Sequence, residues 1–271
     1  MKRLVRSTVV ALSVALLSAP VLAHGGDADA AAKALRASFD AISSIQDPAE
    51  RKAAQEKFTA ECTKFIEEFG ATITDGPAYA TLGLAYTLTG NREKGDEILD
   101  KYQEGLEGKK APSLNVWHAI GAPNNWSLDQ AKGKVVLVDF WATWCPPCRA
   151  VIPDLVKLYE KRSKDGLLVV GATQLYGSGF LGGKSVRDLD KEAELKLNAD
   201  FQKEMNISYP IVFCEKNTGM VSYGVRGIPT LVLIDREGKV RHIQTGAGDH
   251  ATLDAKIEEL LKAGKTDHSG Y

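Results

Sequence analysis

The residues best suited to chemistry lie in one short run, Trp144-Cys145-Pro146-Pro147-Cys148. A disulfide across two intervening residues closes almost no loop, so it constrains the unfolded chain little. A pair at this spacing is explained by redox chemistry or by a metal. The metal reading is half of a zinc site, which needs a second cysteine pair or nearby histidines. Cys62 and Cys214 are lone, and His24, His118, His242, His250 and His268 are scattered, so no metal or other cofactor is expected. The redox reading has a direct physical basis. The pair follows a β-branched run and opens a helical stretch, and a helix start carries about half a positive charge from unpaired N–H groups. A thiolate is stabilised there, which lowers its pKa from about 8.5 toward 7 or below. Cys145, first in the pair and the more exposed, is the expected nucleophile. Cys148, one turn on and more buried, is expected to attack the mixed disulfide that Cys145 forms. Pro146 and Pro147 suit the first helical turn, where a missing N–H loses no partner. They also stiffen the loop and remove two donors that a thiolate could use.

The elements that must hold this pair read as mixed α/β. Lys134–Phe140 is a near-continuous β-branched run, the pattern of a buried parallel strand. Pro153–Lys161 reads as helix, Leu167–Gly171 as a second buried strand and Glu192–Met205 as helix. Pro210–Phe213 and Thr230–Ile234 read as strands. A turn at Arg236–Lys239 leads into Val240–Ile243, and Leu253–Lys262 closes the chain as an amphipathic helix. Strands alternating with helices and then a hairpin indicate a mixed sheet flanked by helices. Between them, residues 176–191 carry Gly177, Gly179, Gly182 and Gly183 and read as a long flexible insertion, either a specificity loop or a tolerated one.

Residues 24–110 differ in texture and read as a small all-α domain, with Gly105–Pro112 as a linker into a domain spanning 111–271. One helix is expected near Ala28–Ser44. A second has Asp47 as N-cap and Pro48 at its first position and runs to Phe69; two more follow. Tyr79-x-x-Leu82-Gly83-x-x-Tyr86 followed by Gly90 resembles the first half of a tetratricopeptide repeat. Gly95, where that repeat prefers Ala, and the single copy favour an ordinary helical hairpin over a partner-binding or dimerisation module.

Composition narrows the function classes. Hydrophobic residues make up 44% and charged ones 25% of 271 residues, enough to bury a substantial core. Residues 1–23 form a basic start, a short apolar run and Val21-x-Ala23, the pattern of a secretory signal cleaved after Ala23. Without Lys2, Arg3 and Arg6 the chain carries four more acidic than basic residues, and no basic run, which argues against nucleic-acid binding. Export places the cysteines in an oxidising compartment. Cys62 and Cys214 either bridge the two regions or are both free; two free, buried thiols are expected, since free Cys often acts as a small hydrophobe.

Val138-Asp139-Phe140-Trp141-Ala142-Thr143 with the cysteine run and Arg149 resembles the active-site stretch of the thioredoxin fold. Ala111–Leu114, Trp126-Ser127-Leu128 with Gly133-Lys134, and Tyr223–Thr230 with Leu233-Ile234-Asp235 are similar to exported TlpA/ResA-type thiol–disulfide oxidoreductases. The resemblance covers about residues 111–262. It implies a thioredoxin-like mixed sheet, a cis Pro229 against the cysteine pair, and a groove for substrate backbone at Ile228, Pro229 and Thr230, walled by Trp144, Pro146 and Pro147. It implies that Asp139 is the buried acid beneath the pair, which relays the proton of Cys148; the other reading is a solvated strand-end aspartate. The partners implied are protein substrates bearing disulfides or thiols and a membrane electron donor; the repeat-like hairpin of the helical region, outside this resemblance, adds a protein partner as an expectation. That branch usually carries Glu three residues after the second cysteine, where this chain has Val151. The function expected is an exported reductant of protein disulfides; the alternative is a partner-binding scaffold or holdase.

Overall fold

The computed structural model describes residues 27–42, 45, 47–216, 218–248 and 250–263. The expected signal segment, His24 and His268 lie outside the described residues. The chain divides into two compact units, residues 1–98 and 99–271.

The first unit is helical: α1 (Ala28–Ile42), α2 (Pro48–Phe69), α3 (Gly76–Leu88) and the first half of α4 (Arg92–Leu106). Asp47 caps α2 as its sequence predicts, accepting from the amides of Ala49 and Glu50. Phe58, Cys62, Phe65 and Phe69 of α2 bury against Ala31, Leu35, Leu82 and Ala85. Gly90, with φ of 93°, turns the chain between α3 and α4. The close approach of these two helices is made at Gly95. A Cβ there would stand 2.7 Å from the Gly83 carbonyl oxygen, which is why Ala does not take this place.

By compactness the chain divides inside α4, between Ile98 and Leu99, ahead of the Gly/Lys/Pro stretch at 105–112. The reason is in the last turns of that helix. Tyr102 donates its hydroxyl hydrogen to the Ser222 carbonyl, and the Gln103 amide donates to the carbonyls of Tyr223 and Gly224.

The second unit is a thioredoxin-like α/β fold. Its strands are β1 (Val116–Ile120), β2 (Val135–Phe140), β3 (Leu167–Thr173), β6 (Ile211–Cys214), β7 (Thr230–Ile234) and β8 (Val240–Thr245). They form one sheet in the order β1-β6-β3-β2-β7-β8. β2, β3 and β6 are parallel; β1, β7 and β8 run antiparallel to their neighbours. All six residues of β2 are buried, as its unbroken apolar run requires of a central strand. The helices α5 (Pro146–Arg162), α6 (Lys191–Glu204) and α8 (His250–Ala263), with the one-turn α7 (Gly219–Ser222), complete the unit. Val151, Ile152 and Leu155 of α5, Phe201 of α6 and Leu253, Ile257 and Leu261 of α8 join Val135 and Leu137 in one core.

Two expectations fail here. β1 has no counterpart in the sequence reading, because as an edge strand it is only half-buried and shows neither a continuous apolar run nor clean alternation. The insertion at 176–191 is not a flexible loop. It contains a hairpin, β4 (Ser178–Leu181) and β5 (Lys184–Arg187), in antiparallel register. Gly182 and Gly183 connect the strands with φ of 57° and 77°, the positive values a two-residue hairpin turn demands.

Candidate active site

Cys145 stands at the junction of β2 and α5. It is the N-cap of α5, and its Sγ accepts a hydrogen bond from the Cys148 amide at 3.2 Å. The two sulfurs are joined in a disulfide. Cys145 is 3% exposed and Cys148 is fully buried, so both sulfurs are buried in the disulfide form and Cys145 presents only a narrow face. Pro146 and Pro147 occupy the first turn of α5, where no amide partner is lost. Trp144 is 39% exposed and stands beside the disulfide as the prominent apolar surface of this face.

The other wall comes from the segment before β7. The Ile228–Pro229 bond is cis. The Ile228 carbonyl oxygen lies 3.6 Å from Cys145 Sγ. Thr230 opens β7 and pairs with Phe140 at the end of β2, so the strand ladder sets the distance between this segment and the cysteines. Its hydroxyl donates to the Gly227 carbonyl and fixes the turn. The structure thus brings Cys145, Cys148, Ile228, Pro229 and Thr230 together from sequence positions about 80 apart.

Asp139 is fully buried in β2. Side chains alternate along a strand, so Asp139 projects to the same face as Val135 and Leu137, the face whose core contains both cysteines. Its register neighbours are Gly171 and Leu231, neither of which offers a polar side chain. Neither carboxyl oxygen has a hydrogen-bond partner among the described residues. Burial therefore pushes its pKa up to about 7. The solvated strand-end reading of Asp139 is overturned. Val151, at the position where the resemblance leads one to look for Glu, is packed in the apolar core.

Three groups near the site were not singled out from sequence. Thr143 accepts the Phe180 amide through Oγ1, at 3.1 Å, and accepts the Arg149 guanidinium through its carbonyl, at 2.9 Å. That guanidinium lies over the Phe180 ring, 3.9 Å from its centre. Tyr176 meets Trp144 edge-on, with ring centres 5.1 Å apart. Glu194 is 2% exposed and accepts two successive amides, Tyr176 at 2.8 Å and Gly177 at 2.7 Å. Burial raises its pKa, opposed by those two hydrogen bonds and by Lys216. A sequence signal for Glu194 exists: it shares one face of α6 with Leu197, Asn198 and Phe201 at helical spacing, an acid on a buried stripe.

The remaining cysteines are free and buried, as expected, and burial pushes both thiols up to about 12. No group of His, Cys, Asp and Glu able to hold a metal occurs among the described residues.

A family model described as Redoxin matches residues 106–261. The chain belongs to the redoxin family. Its second unit is a thioredoxin-like thiol–disulfide oxidoreductase. Thioredoxin-like protein YneN of Bacillus subtilis is 31% identical over 163 residues, covering 60% of this chain and 85% of that protein. Thiol-disulfide oxidoreductase ResA of Bacillus thuringiensis is 30% identical over 161 residues, covering 59% and 80%. The crystal structure of a thiol-disulfide isomerase from Corynebacterium glutamicum is similar over 56% of this chain and 96% of that one, at 26% identity and a TM-score of 0.45. The family match does not extend over residues 1–105.

Proposed function

We propose that this redoxin is an exported reductant of protein disulfides, with Cys145 as nucleophile and Cys148 as resolving thiol. The observation that carries the reading is Cys145 Sγ at the helix start, accepting the Cys148 amide. In the dithiol form the same hydrogen bond and the helix dipole favour the Cys145 thiolate. That thiolate attacks one sulfur of a substrate disulfide, forming a mixed disulfide and releasing the other substrate sulfur as thiolate. Cys148, deprotonated as Asp139 takes up its proton, attacks Cys145 Sγ and expels the second substrate thiolate. Two electrons pass from the protein dithiol to the substrate, and the 145–148 disulfide remains. Ile228, Pro229 and Thr230 line the groove for substrate backbone, walled by Trp144, Pro146 and Pro147. Re-reduction needs a dithiol donor, which export assigns to a membrane electron carrier. Signal cleavage after Ala23 delivers the protein to the compartment. The disulfide form of the haem-binding cysteines of apocytochrome c, or of the cysteines of a metal site under assembly, is a substrate of fitting chemistry, and reduction delivers the thiols that bind haem or metal.

The test is direct. Cys145→Ser is expected to abolish insulin-disulfide reduction, and Cys148→Ser to accumulate mixed disulfides with substrate. A reduction potential near −270 mV supports a reductant; one near −120 mV would make the protein an oxidant. A second reading, a scaffold in which the helical region recruits a partner, draws on exposed Phe39 and Leu88. Undiminished function in both cysteine variants would favour it.

A further inference from the structure

The hairpin inserted at 178–187 is held at its entry by α6 and tied to the cysteine segment through Phe180. Glu194 grips its entry by accepting the Tyr176 and Gly177 amides, and the Leu189 amide closes the loop by donating to the Gly177 carbonyl. Phe180 is tied through its amide to Thr143, two residues before Cys145, and through its ring to the Arg149 guanidinium. Gly179 allows this closeness: a Cβ there would stand 2.6 Å from a Leu197 methyl and 3.0 Å from Thr143 Oγ1. The consequence lies at the cysteine face. Tyr176, its backbone gripped by Glu194 and its hydroxyl 3.7 Å from Met220 Sδ, stands edge-on to Trp144. Trp144, in contrast with the buried rings around it, stays 39% exposed beside the disulfide. The Ile228 carbonyl oxygen lies 3.6 Å from Cys145 Sγ, and Ile228 is half-buried against the same core.

We infer that Glu194 is a positioning residue which, by gripping the hairpin entry, sets Tyr176 behind Trp144 so that the pair forms a selectivity wall for an aromatic side chain adjacent to the substrate cysteine. The preferred substrate is an extended peptide segment with Phe, Tyr or Trp next to its cysteine. This rests on the redox reading for its setting, but the wall itself is a binding feature and is read separately. The carboxylate spreads two acceptors over two amides, whereas a glutamine side chain has one acceptor oxygen and so can keep only one such bond in its place. Aromatic packing of this kind is worth about a fivefold preference.

The experiment uses the full-length oxidised protein and two labelled, non-reacting peptides that carry Ser in place of Cys, one with Phe beside it and one with Gly. Fluorescence anisotropy gives the ratio of their affinities. The wild type is expected to favour the Phe peptide about fivefold. Glu194→Gln and Tyr176→Leu are each expected to bring that ratio toward one, with Glu194→Asp restoring part of it in the first case. Equal binding of both peptides by the wild type overturns the proposal, as does an unchanged ratio in folded Glu194→Gln or in Tyr176→Leu, the latter deciding alone should Glu194→Gln not fold. Turnover of the corresponding disulfide peptides by the reduced protein is the companion measurement. Its absence, with the binding ratio intact, would refute the redox reading and leave the wall standing.

Discussion

Asp139 is a carboxyl placed where a carboxylate is costly: fully buried, between a glycine and a leucine, with no hydrogen-bond donor on either oxygen among the described residues. Its pKa near 7 against an ordinary 3.8 means that the folded state holds this proton more tightly than the unfolded chain. The resulting stability is fully present below about pH 4 and is lost as pH rises through about 7. Asp139→Asn removes that dependence. Denaturant midpoints should therefore show the variant gaining on the wild type between pH 5 and pH 8, by on the order of 2–3 kcal/mol. A gap that does not change with pH would mean the acid is ionised and paired. The same substitution should slow release of trapped substrate, since Cys148 loses its proton acceptor.

At the scale of elements, the hairpin of β4 and β5 owes its position to one missing side chain. Gly179 has an unremarkable backbone and is small because Leu197 and Thr143 leave no room. A flexible Leu197 methyl can move aside for a single added carbon, whereas a branched side chain would also strike Thr143. Gly179→Val is therefore expected to lift the hairpin from the start of α5. Hydrogen exchange reads this at one amide, that of Phe180, which donates to Thr143 Oγ1. Its protection should fall by about tenfold or more, the loss expected when a buried hydrogen bond opens. Protection equal to the wild type would show that the hairpin tolerates the volume.

For the molecule as a whole, the division inside α4 makes a prediction about fragments. The turns after Leu99 belong energetically to the redoxin unit, through Tyr102, Gln103 and the ion pair of Asp100 with Arg226. A fragment starting at Leu99 should be more stable than one starting at Ala111. Two buried hydrogen-bonding side chains at about 1 kcal/mol each, plus the lost burial of Tyr102, set the difference at roughly 2–4 kcal/mol. Urea midpoints of the two fragments measure it, and equal midpoints would return the boundary to the linker.

Local chemistry was legible in the residues themselves. The cysteine spacing, the two prolines at a helix start, the apolar run of β2 and the Asp47 cap each depend on neighbours within a few positions, where sequence distance and spatial distance agree. The burial of Asp139 was not fixed by that run, which also fits a solvated strand end; the packed sheet decided it. What the residues could not reveal alone was decided by contacts across long separations: β1 as an edge strand, the last turns of α4 lying with the redoxin unit, and Glu194 reaching back to Tyr176 and Gly177. A glycine-rich stretch carries no mark of whether its amides will find a buried acceptor, because that acceptor is supplied by a helix still to come. Only the folded arrangement turns residues 176–191 from loose chain into a structured neighbour of the disulfide.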